Sequence, residues 1–262
     1  MVVIDEKKCI GCGLCAADCI AQNIVIEEKA HVKQDCFQCG HCVAVCPEGA
    51  VSIPEYDMAD VEEYDADSFT LEPEAVLHSI KFRRSIRNYK PEAVPEDVLR
   101  TLAEAGRYTA TAKNSQSNGF VFVQKEMAEL KARVWQYIDD IAHKDIREID
   151  KAFLPYLVFN QRRKKDAADD YLFRNAPVVL YVVSDSALDA GLAAQNMEMM
   201  GVSLGLGMLY NGYLARVSDA NEELKQWLGI GDRTIRACML LGYPAVHYAR
   251  TAPRKTADVI WK

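Results

Sequence analysis

From Pro73 onward, the apolar positions switch repeatedly between a helical and a strand period. PEAVLHSIKFRRS opens with proline at a helix start, where its missing N–H is not needed, and repeats apolar residues at helical spacing. Residues 95–108 do the same, with Val98, Leu99, Leu102 and Ala105 on one face. Phe120-Val121-Phe122-Val123 reads as a strand, 127–143 as a long amphipathic helix, and 178–183 as a buried strand entered through Ala176-Pro177. Residues 188–204 form a helix with little polar surface, which predicts a central position. Strands are expected at 208–213 and 235–241, with a helix at 221–228 between them. Residues 153–170 fit a helix or a lid. These elements predict one α+β domain over 73–262.

The first 53 residues follow another rule. A unit of Cys-rich loop, short helix and short β segment occurs twice, the β segments being Ile24-Val25-Ile26 and Ala50-Val51-Ser52-Ile53. Between the two regions, 54–72 carries Glu55, Asp57, Asp60, Glu62, Glu63, Asp65, Asp67 and Glu72 with no Lys or Arg. Such a run is expected to be an acidic linker. Tyr56, Met58, Val61, Tyr64 and Phe69 within it suggest that it lies on a neighbouring surface.

The repeat carries eight of the nine cysteines. Cys9, Cys12, Cys15 and Cys19 form Cys-x2-Cys-x2-Cys-x3-Cys; Cys36, Cys39, Cys42 and Cys46 form it again, followed by Pro47. This resembles the ligand run of bacterial ferredoxins that hold two 4Fe–4S clusters. In that pattern the fourth cysteine ligates the other cluster. It implies Cys9, Cys12, Cys15 and Cys46 for one cluster, and Cys36, Cys39, Cys42 and Cys19 for the other. Gly11, Gly13 and Gly40 would let the backbone approach the sulfides. Zinc prefers two Cys-x2-Cys pairs across a longer spacer and fits this spacing poorly. A disulfide framework fits worse, because nothing else in the chain looks secreted. The first run ends Cys19-Ile20, where ferredoxins usually have Cys-Pro; this removes no ligand.

Composition narrows the remaining classes. Half of the 262 residues are hydrophobic, enough for a sizeable core, and the formal net charge of -7 argues against nucleic acid as a partner. The start, MVVIDEKKCI, has no apolar signal-peptide core, and no run reaches the roughly 18 apolar residues that a membrane helix needs. Free thiols then point to a reducing cytoplasm.

A second candidate site lies in the larger domain. Arg83-Arg84-Ser85-Ile86-Arg87 gathers guanidinium forks suited to phosphate and carbonyl oxygens. Lys113-Asn114-Ser115-Gln116 follows, then the helix AAQNMEMMGVSLGLG with its strand, then Leu241-Gly242-Tyr243-Pro244 and the tail Arg250-Thr251-Ala252-Pro253-Arg254-Lys255. In this order and spacing the segments resemble the nitroreductase family of FMN enzymes over nearly all of 73–262. The resemblance implies a mostly antiparallel sheet flanked by helices, a homodimer, and FMN at its interface.

It further implies that Arg83 reaches the FMN phosphate and ribityl chain, with Arg84 beside it, that Ser85 bonds the ribityl or ring edge, and that Arg87 sits by flavin N1 and O2. Asn114, from the partner subunit, would meet the isoalloxazine, with Gln116 in the same loop. Backbone N–H groups at Asn211 and Gly212 would approach N5 and O4; Arg250, Arg254 and Lys255 would bind phosphate. The family's loop often carries prolines that Ala110–Ser117 lacks. No nucleophile or general acid is required, so no catalytic side chain is assigned.

The implied activity is transfer of electrons from the clusters through FMN to an electron-poor small molecule: a nitroaromatic, a quinone or an activated alkene. A ferredoxin, a flavodoxin or NAD(P)H is the implied external donor. The competing reading is an electron-transfer module that relays to a partner protein and has no substrate of its own.

Several features have plainer readings. Gly201, Gly205 and Gly207 lack the strand–loop–helix order of a dinucleotide fingerprint and suit close helix packing. Arg162-Arg163-Lys164-Lys165 is expected to be a solvated helix face, Cys238 a small core residue, and His41 structural. His31, His78, His143 and His247 show no ligand spacing. Met197, Met199, Met200 and Met208 are expected in the core.

Overall fold

A computed structural model describes residues 1–34 and 36–262. The chain divides into two compact units, Met1–Leu71 with Thr111–Ser115, and Glu72–Ala110 with Gln116–Lys262. The elements of the first unit are β1 (Val3–Ile4), α1 (Leu14–Ala17), β2 (Ile24–Ile26), β3 (Ala30–Val32), α2 (His41–Ala44), β4 (Val51–Ser52) and α3 (Ala66–Phe69). β2 and β3 pair as an antiparallel hairpin, and β1 returns to pair antiparallel with β4, with Ile4 opposite Val51. The chain start is thereby tied to the end of the second repeat. α1 and α2 begin at equivalent places, each preceded by a glycine in the left-handed region, Gly13 at φ 84 and Gly40 at φ 77. Glycine is the residue that enters this conformation without a Cβ penalty.

Residues 54–72 contain short capped turns. Asp57 accepts from Ala59 N at 3.0 Å and Asp65 from Asp67 N at 3.2 Å, so part of the acidic run serves as helix caps. Tyr64 and Phe69 stack on each other, with ring centroids 5.6 Å apart.

The second unit comprises α4 (Pro73–Phe82), α5 (Glu96–Arg107), β5 (Gly119–Val123), α6 (Met127–Ala142), α7 (Leu154–Lys165), β6 (Val178–Val183), α8 (Ala187–Ser203), β7 (Gly207–Tyr210), α9 (Gly212–Asp219), α10 (Glu222–Trp227) and β8 (Ile235–Gly242). Its sheet has the order β5-β6-β8-β7, with every pair antiparallel. All six residues of β6 are buried. Strand side chains alternate between faces. Val179, Tyr181 and Val183 therefore enter one core with Leu130, Val134 and Ile138 of α6, Tyr156 and Phe159 of α7, and Leu214 and Val217 of α9. Val178, Leu180 and Val182 enter the opposite core with Leu99 and Leu102 of α5 and Ala190, Ala194 and Met197 of α8. The uninterrupted apolar run of β6 is thus the signature of a strand covered on both faces.

One expectation changes and one is refined. The strand expected at 208–213 ends at Tyr210, because Asn211 caps a new helix by accepting from Leu214 N at 2.9 Å. The basic run stays exposed at Arg162, Lys164 and Lys165, as expected of a solvated face, but three of its four cations are paired. Arg163 and Lys164 both reach Asp139, at 3.0 and 2.7 Å, and Arg162 reaches Asp169 at 2.7 Å. Burial works against the charge of Asp139, but Lys164, Asn160 and Arg163 together hold its carboxyl below the usual range. In 153–170 the helix reading holds: Tyr156 is fully buried and its hydroxyl donates to Tyr213 O at 2.6 Å. Met197, Met208 and Cys238 are buried as expected, and a Cβ on Gly201 would meet Met208 Cε at 2.5 Å, which accounts for that glycine by packing.

The most buried ionic contact of this unit joins Glu198 of α8, 1% exposed, to Arg83 Nη1 at 3.1 Å. Burial pushes the Glu198 carboxyl up, against the pull of Arg83. Replacing Arg83 with Met should cost about 3 kcal/mol of stability, the lower end for breaking a buried pair from one side. The orphaned carboxyl then titrates further above its unfolded value of about 4.3, so the folded state holds the extra proton and stability falls as pH rises through that window. Denaturant unfolding should show a larger deficit at pH 8 than at pH 6. Equal deficits at the two pH values would rule out this electrostatic account.

Candidate functional site

The eight cysteines of the first unit line two separate pockets. Cys9, Cys12, Cys15 and Cys46 surround one, with walls from Ile4, Ile26, Ala30 and Ala50. Cys19, Cys36, Cys39 and Cys42 surround the other, with Val2, Ile24, Val32 and Phe37. Each repeat thus sends its fourth cysteine to the pocket of the other. α1 carries Cys15 and α2 carries Cys42, and the chain after each helix brings Cys19 and Cys46 to the opposite side.

Backbone amides point at the sulfurs. Ala30 N donates to Cys9 Sγ at 3.4 Å and Ala50 N to Cys46 Sγ at 3.3 Å in the first pocket. Asn23 N donates to Cys19 Sγ at 3.4 Å and Gln38 N to Cys36 Sγ at 3.3 Å in the second. The amides of Ala30 and Gly11 lower the Cys9 thiol, whereas burial raises Cys15 and pushes Cys42 up to about 11. Four sulfurs, apolar walls and amide donors fit a group held by thiolates that brings its own positive charge, since metal binding displaces the thiol protons. His41 is bonded to Asp18, Nδ1 to Oδ2 at 3.0 Å, in keeping with a structural role.

Thr111–Ser115 packs with this first unit. Asn114 Nδ2 donates to Phe37 O and Gln38 O, both at 3.0 Å, inside the Cys36–Cys39 loop. This is the side chain that the family resemblance assigns to the partner subunit's flavin.

The second unit holds an open cleft lined by Arg87, Tyr171, Leu172, Arg174, Leu209, Tyr210, Asn211, Gly212, Tyr213 and Arg216. Its origin is local. Ser85 forms an isolated parallel bridge with Met208, and Ile86 N donates to Met208 O at 2.9 Å, so the chain at Ser85–Ile86 lies alongside β7. Two residues further along that register, Arg87 stands at the level of Tyr210, where β7 gives way to α9. Tyr89 OH secures the segment: its one hydrogen lies within reach of Ile86 O at 2.8 Å and Leu240 O at 3.2 Å. Gly212 begins α9, whose first-turn amides have no partner within the helix. Three guanidiniums and a helix start facing one cleft suit anionic oxygens.

Of the residues expected at a flavin, Arg87, Asn211 and Gly212 meet in this cleft, and Ser85 lies one strand position away. The Asn211 expectation needs correction. Its backbone N–H donates to Cys238 O at 2.8 Å, and its side chain donates to Leu172 O at 2.7 Å and caps α9, so it shapes the cleft without offering a free amide. Arg83 is engaged by Glu198 and Arg84 is half-buried beside it; neither lines the cleft. Gln116, Arg250, Arg254 and Lys255 are exposed and outside it. Arg174 and Arg216 were not singled out from the sequence. Arg216 follows Gly212 by four residues, one helical turn, which was the available signal. Arg174 has left-handed backbone, φ 55, which no local motif announces. A larger groove along β5, lined by Glu96, Arg100, Phe120 and Trp227 among others, carries both charge signs and no such convergence of cations.

Comparison with known proteins identifies the family of each part of the chain. Residues 80–243 match the Nitroreductase family, and 1–65 match the 4Fe-4S dicluster domain. A protein of Methanothermobacter thermautotrophicus, provisionally named NADH dehydrogenase/NAD(P)H nitroreductase, is 26% identical over 181 residues, covering 65% of this chain and 78% of the relative. An NADPH-dependent oxidoreductase of Staphylococcus saprophyticus is 25% identical over 146 residues, and the chain spans only 54% of its length. A nitroreductase with bound FMN from Bacteroides fragilis superposes with a TM-score of 0.57 at 23% identity, over 71% of this chain and 98% of that one. The α+β fold expected from the sequence is thus the nitroreductase fold. The chain belongs to the Nitroreductase family and carries a 4Fe-4S dicluster domain ahead of its nitroreductase domain.

Proposed function

We propose that this protein is an FMN-dependent oxidoreductase that accepts electrons one at a time at its iron–sulfur unit and delivers them, at the flavin, to an electron-poor small molecule such as a nitroaromatic, a quinone or an activated alkene. The observation that carries this reading is the exchange of Cys46 and Cys19 between the two cysteine pockets, in a chain that also holds an arginine-lined cleft on a nitroreductase fold. Clusters exchange single electrons, and FMN couples single-electron to two-electron chemistry. The chain's own residues supply binding and charge. Cys9, Cys12, Cys15 and Cys46 would hold one 4Fe–4S cluster, and Cys36, Cys39, Cys42 and Cys19 the other.

Arg87, Arg174 and Arg216 would hold FMN in the cleft together with the amide of Gly212, and a cation there favours the negative charge of a reduced flavin. Tyr171, Tyr210 and Tyr213 would wall off the ring. Arg174 is itself fixed over the Tyr171 ring, 4.1 Å from its centroid. A homodimer would cover the apolar side chains that one copy leaves outside, including Leu188 of α8 at 70% exposure and Trp261 at 89%. The exposed Arg250, Arg254 and Lys255 of the tail are then the further candidates for the FMN phosphate. A ferredoxin, a flavodoxin or NAD(P)H is the donor class. Among the described residues no helix is long and apolar enough to cross a membrane, and a reducing cytoplasm suits the thiols.

Protein prepared without oxygen should contain about eight iron and eight acid-labile sulfide per chain. Cys46→Ser should damage the cluster of the first repeat, not that of its sequence neighbours, as read by the loss of one of two electron paramagnetic resonance signals. Zinc without labile sulfide would sink the ligand assignment.

Arg87→Ala should weaken binding of reduced FMN by about 1.5–3 kcal/mol, the range for a lost charge-assisted hydrogen bond. Oxidised FMN should lose less, so the flavin potential moves negative. Unchanged potential and affinity would remove Arg87 from the site.

The entry route has its own test. A full-length Cys12→Ser, Cys39→Ser variant should keep its FMN yet be reduced far more slowly by reduced viologen, while any reduction by NAD(P)H persists. Equal rates in the variant and the wild type would show that electrons bypass the iron–sulfur unit.

A further inference from the structure

The loop Cys36-Phe37-Gln38-Cys39 is gripped from outside by one side chain. An amide NH2 carries two hydrogens, and Asn114 Nδ2 lies 3.0 Å from both Phe37 O and Gln38 O. It also lies 3.4 Å from the Tyr56 hydroxyl. Phe37 C=O and Gln38 N–H belong to the same peptide unit, and that N–H donates to Cys36 Sγ at 3.3 Å. The three groups form a relay: Asn114 N–H to Phe37 C=O, then Gln38 N–H to sulfur. A donor on the carbonyl end polarises the peptide and strengthens the amide end, because bonds in such a chain reinforce one another. In the first repeat the corresponding place, two residues after Cys9, is held by Gly11. Asn114 acts on the second loop.

The position of Asn114 is unusual in sequence. Thr111–Ser115 packs with the iron–sulfur unit, while the chain on either side of it belongs to the other unit. Lys113 and Asn114 both adopt left-handed backbone, at φ 54. Asparagine is among the non-glycine residues that enter this region most readily, whereas lysine enters it less often.

We propose that Asn114 is a positioning residue of the cluster held by Cys36, Cys39, Cys42 and Cys19, raising that cluster's reduction potential through the Phe37–Gln38 peptide. This rests on the ligand sets proposed above. Hydrogen bonds to cluster sulfurs favour the more negative, reduced state, and their loss lowers the potential.

The test is a redox titration of full-length protein followed by electron paramagnetic resonance, with the two signals assigned by comparison with Cys46→Ser. Asn114→Asp, which replaces the donor with an acceptor, should shift the midpoint of the second cluster negative and leave the first unchanged. Asn114→Gln, which keeps both hydrogens, should recover most of the shift. Where Asn114→Asp prevents assembly, loss of the second signal alone, with the first intact, is the expected result. Two unchanged midpoints, or equal shifts of both, would overturn the role of Asn114 while leaving the ligand sets standing. Loss of FMN with both midpoints unchanged would overturn it in favour of a flavin contact. A wild-type protein without labile sulfide would instead defeat the ligand sets themselves.

Discussion

Neither cysteine repeat can complete a four-thiol pocket by itself, and the first unit is organised around that constraint. Its small cores contain the cysteines themselves: Cys9 and Cys15 are buried with Ile24, Ala30 and Ala50, while Cys36 and Cys42 pack beside Val2, Val51 and Ile53. Little apolar surface is available apart from the sulfur sites, and a unit of this size is marginal on core burial alone. The pairing of β1 with β4 closes the two repeats onto each other, and that closure brings Cys46 to the first pocket and Cys19 to the second. Raised thiols at Cys15 and Cys42 mean that binding iron also expels protons from the interior, so assembly, folding and protonation are linked.

The second unit solves a different problem, that of presenting cations where a strand becomes a helix. β6 is covered on both sides and anchors the sheet, while β8 carries β7 beside it. Pairing of Ser85 with Met208 then fixes how far along β7 the arginine segment lies. A slip of one residue would turn Arg87 to the opposite face. Part-buried hydrogen bonding by Tyr89 holds that register, and the Asn211 cap fixes where the helix begins. The cleft is therefore assembled from backbone register and caps, with the charged groups as its last additions.

Much of this was legible along the chain. Cysteine spacing is a local property, set by how many residues a loop needs between ligands, so the eight sulfur ligands are legible from order, and the exchange of the fourth members is what the resemblance to ferredoxins implies. The apolar run of β6, the amphipathic α5 and α6 and the proline at the start of α4 likewise report burial and chain geometry that each segment carries within itself. Arg87 stood out because it is one of three arginines around a serine.

What remained hidden depended on residues distant in sequence. Arg83 looks equivalent to Arg87 until α8 brings Glu198 against it. Arg174 and Arg216 are unremarkable in isolation and become a pair of cations only when the Tyr171–Arg174 turn and α9 reach one cleft. Asn114 sits in a polar loop that suits several ligands, and only its packing against Phe37 and Gln38 determines which carbonyls it serves. Spacing encodes what a loop or a helix face can hold, because those distances are covalent. Partners between segments are set by which surfaces the buried core forces together, and that is decided in three dimensions.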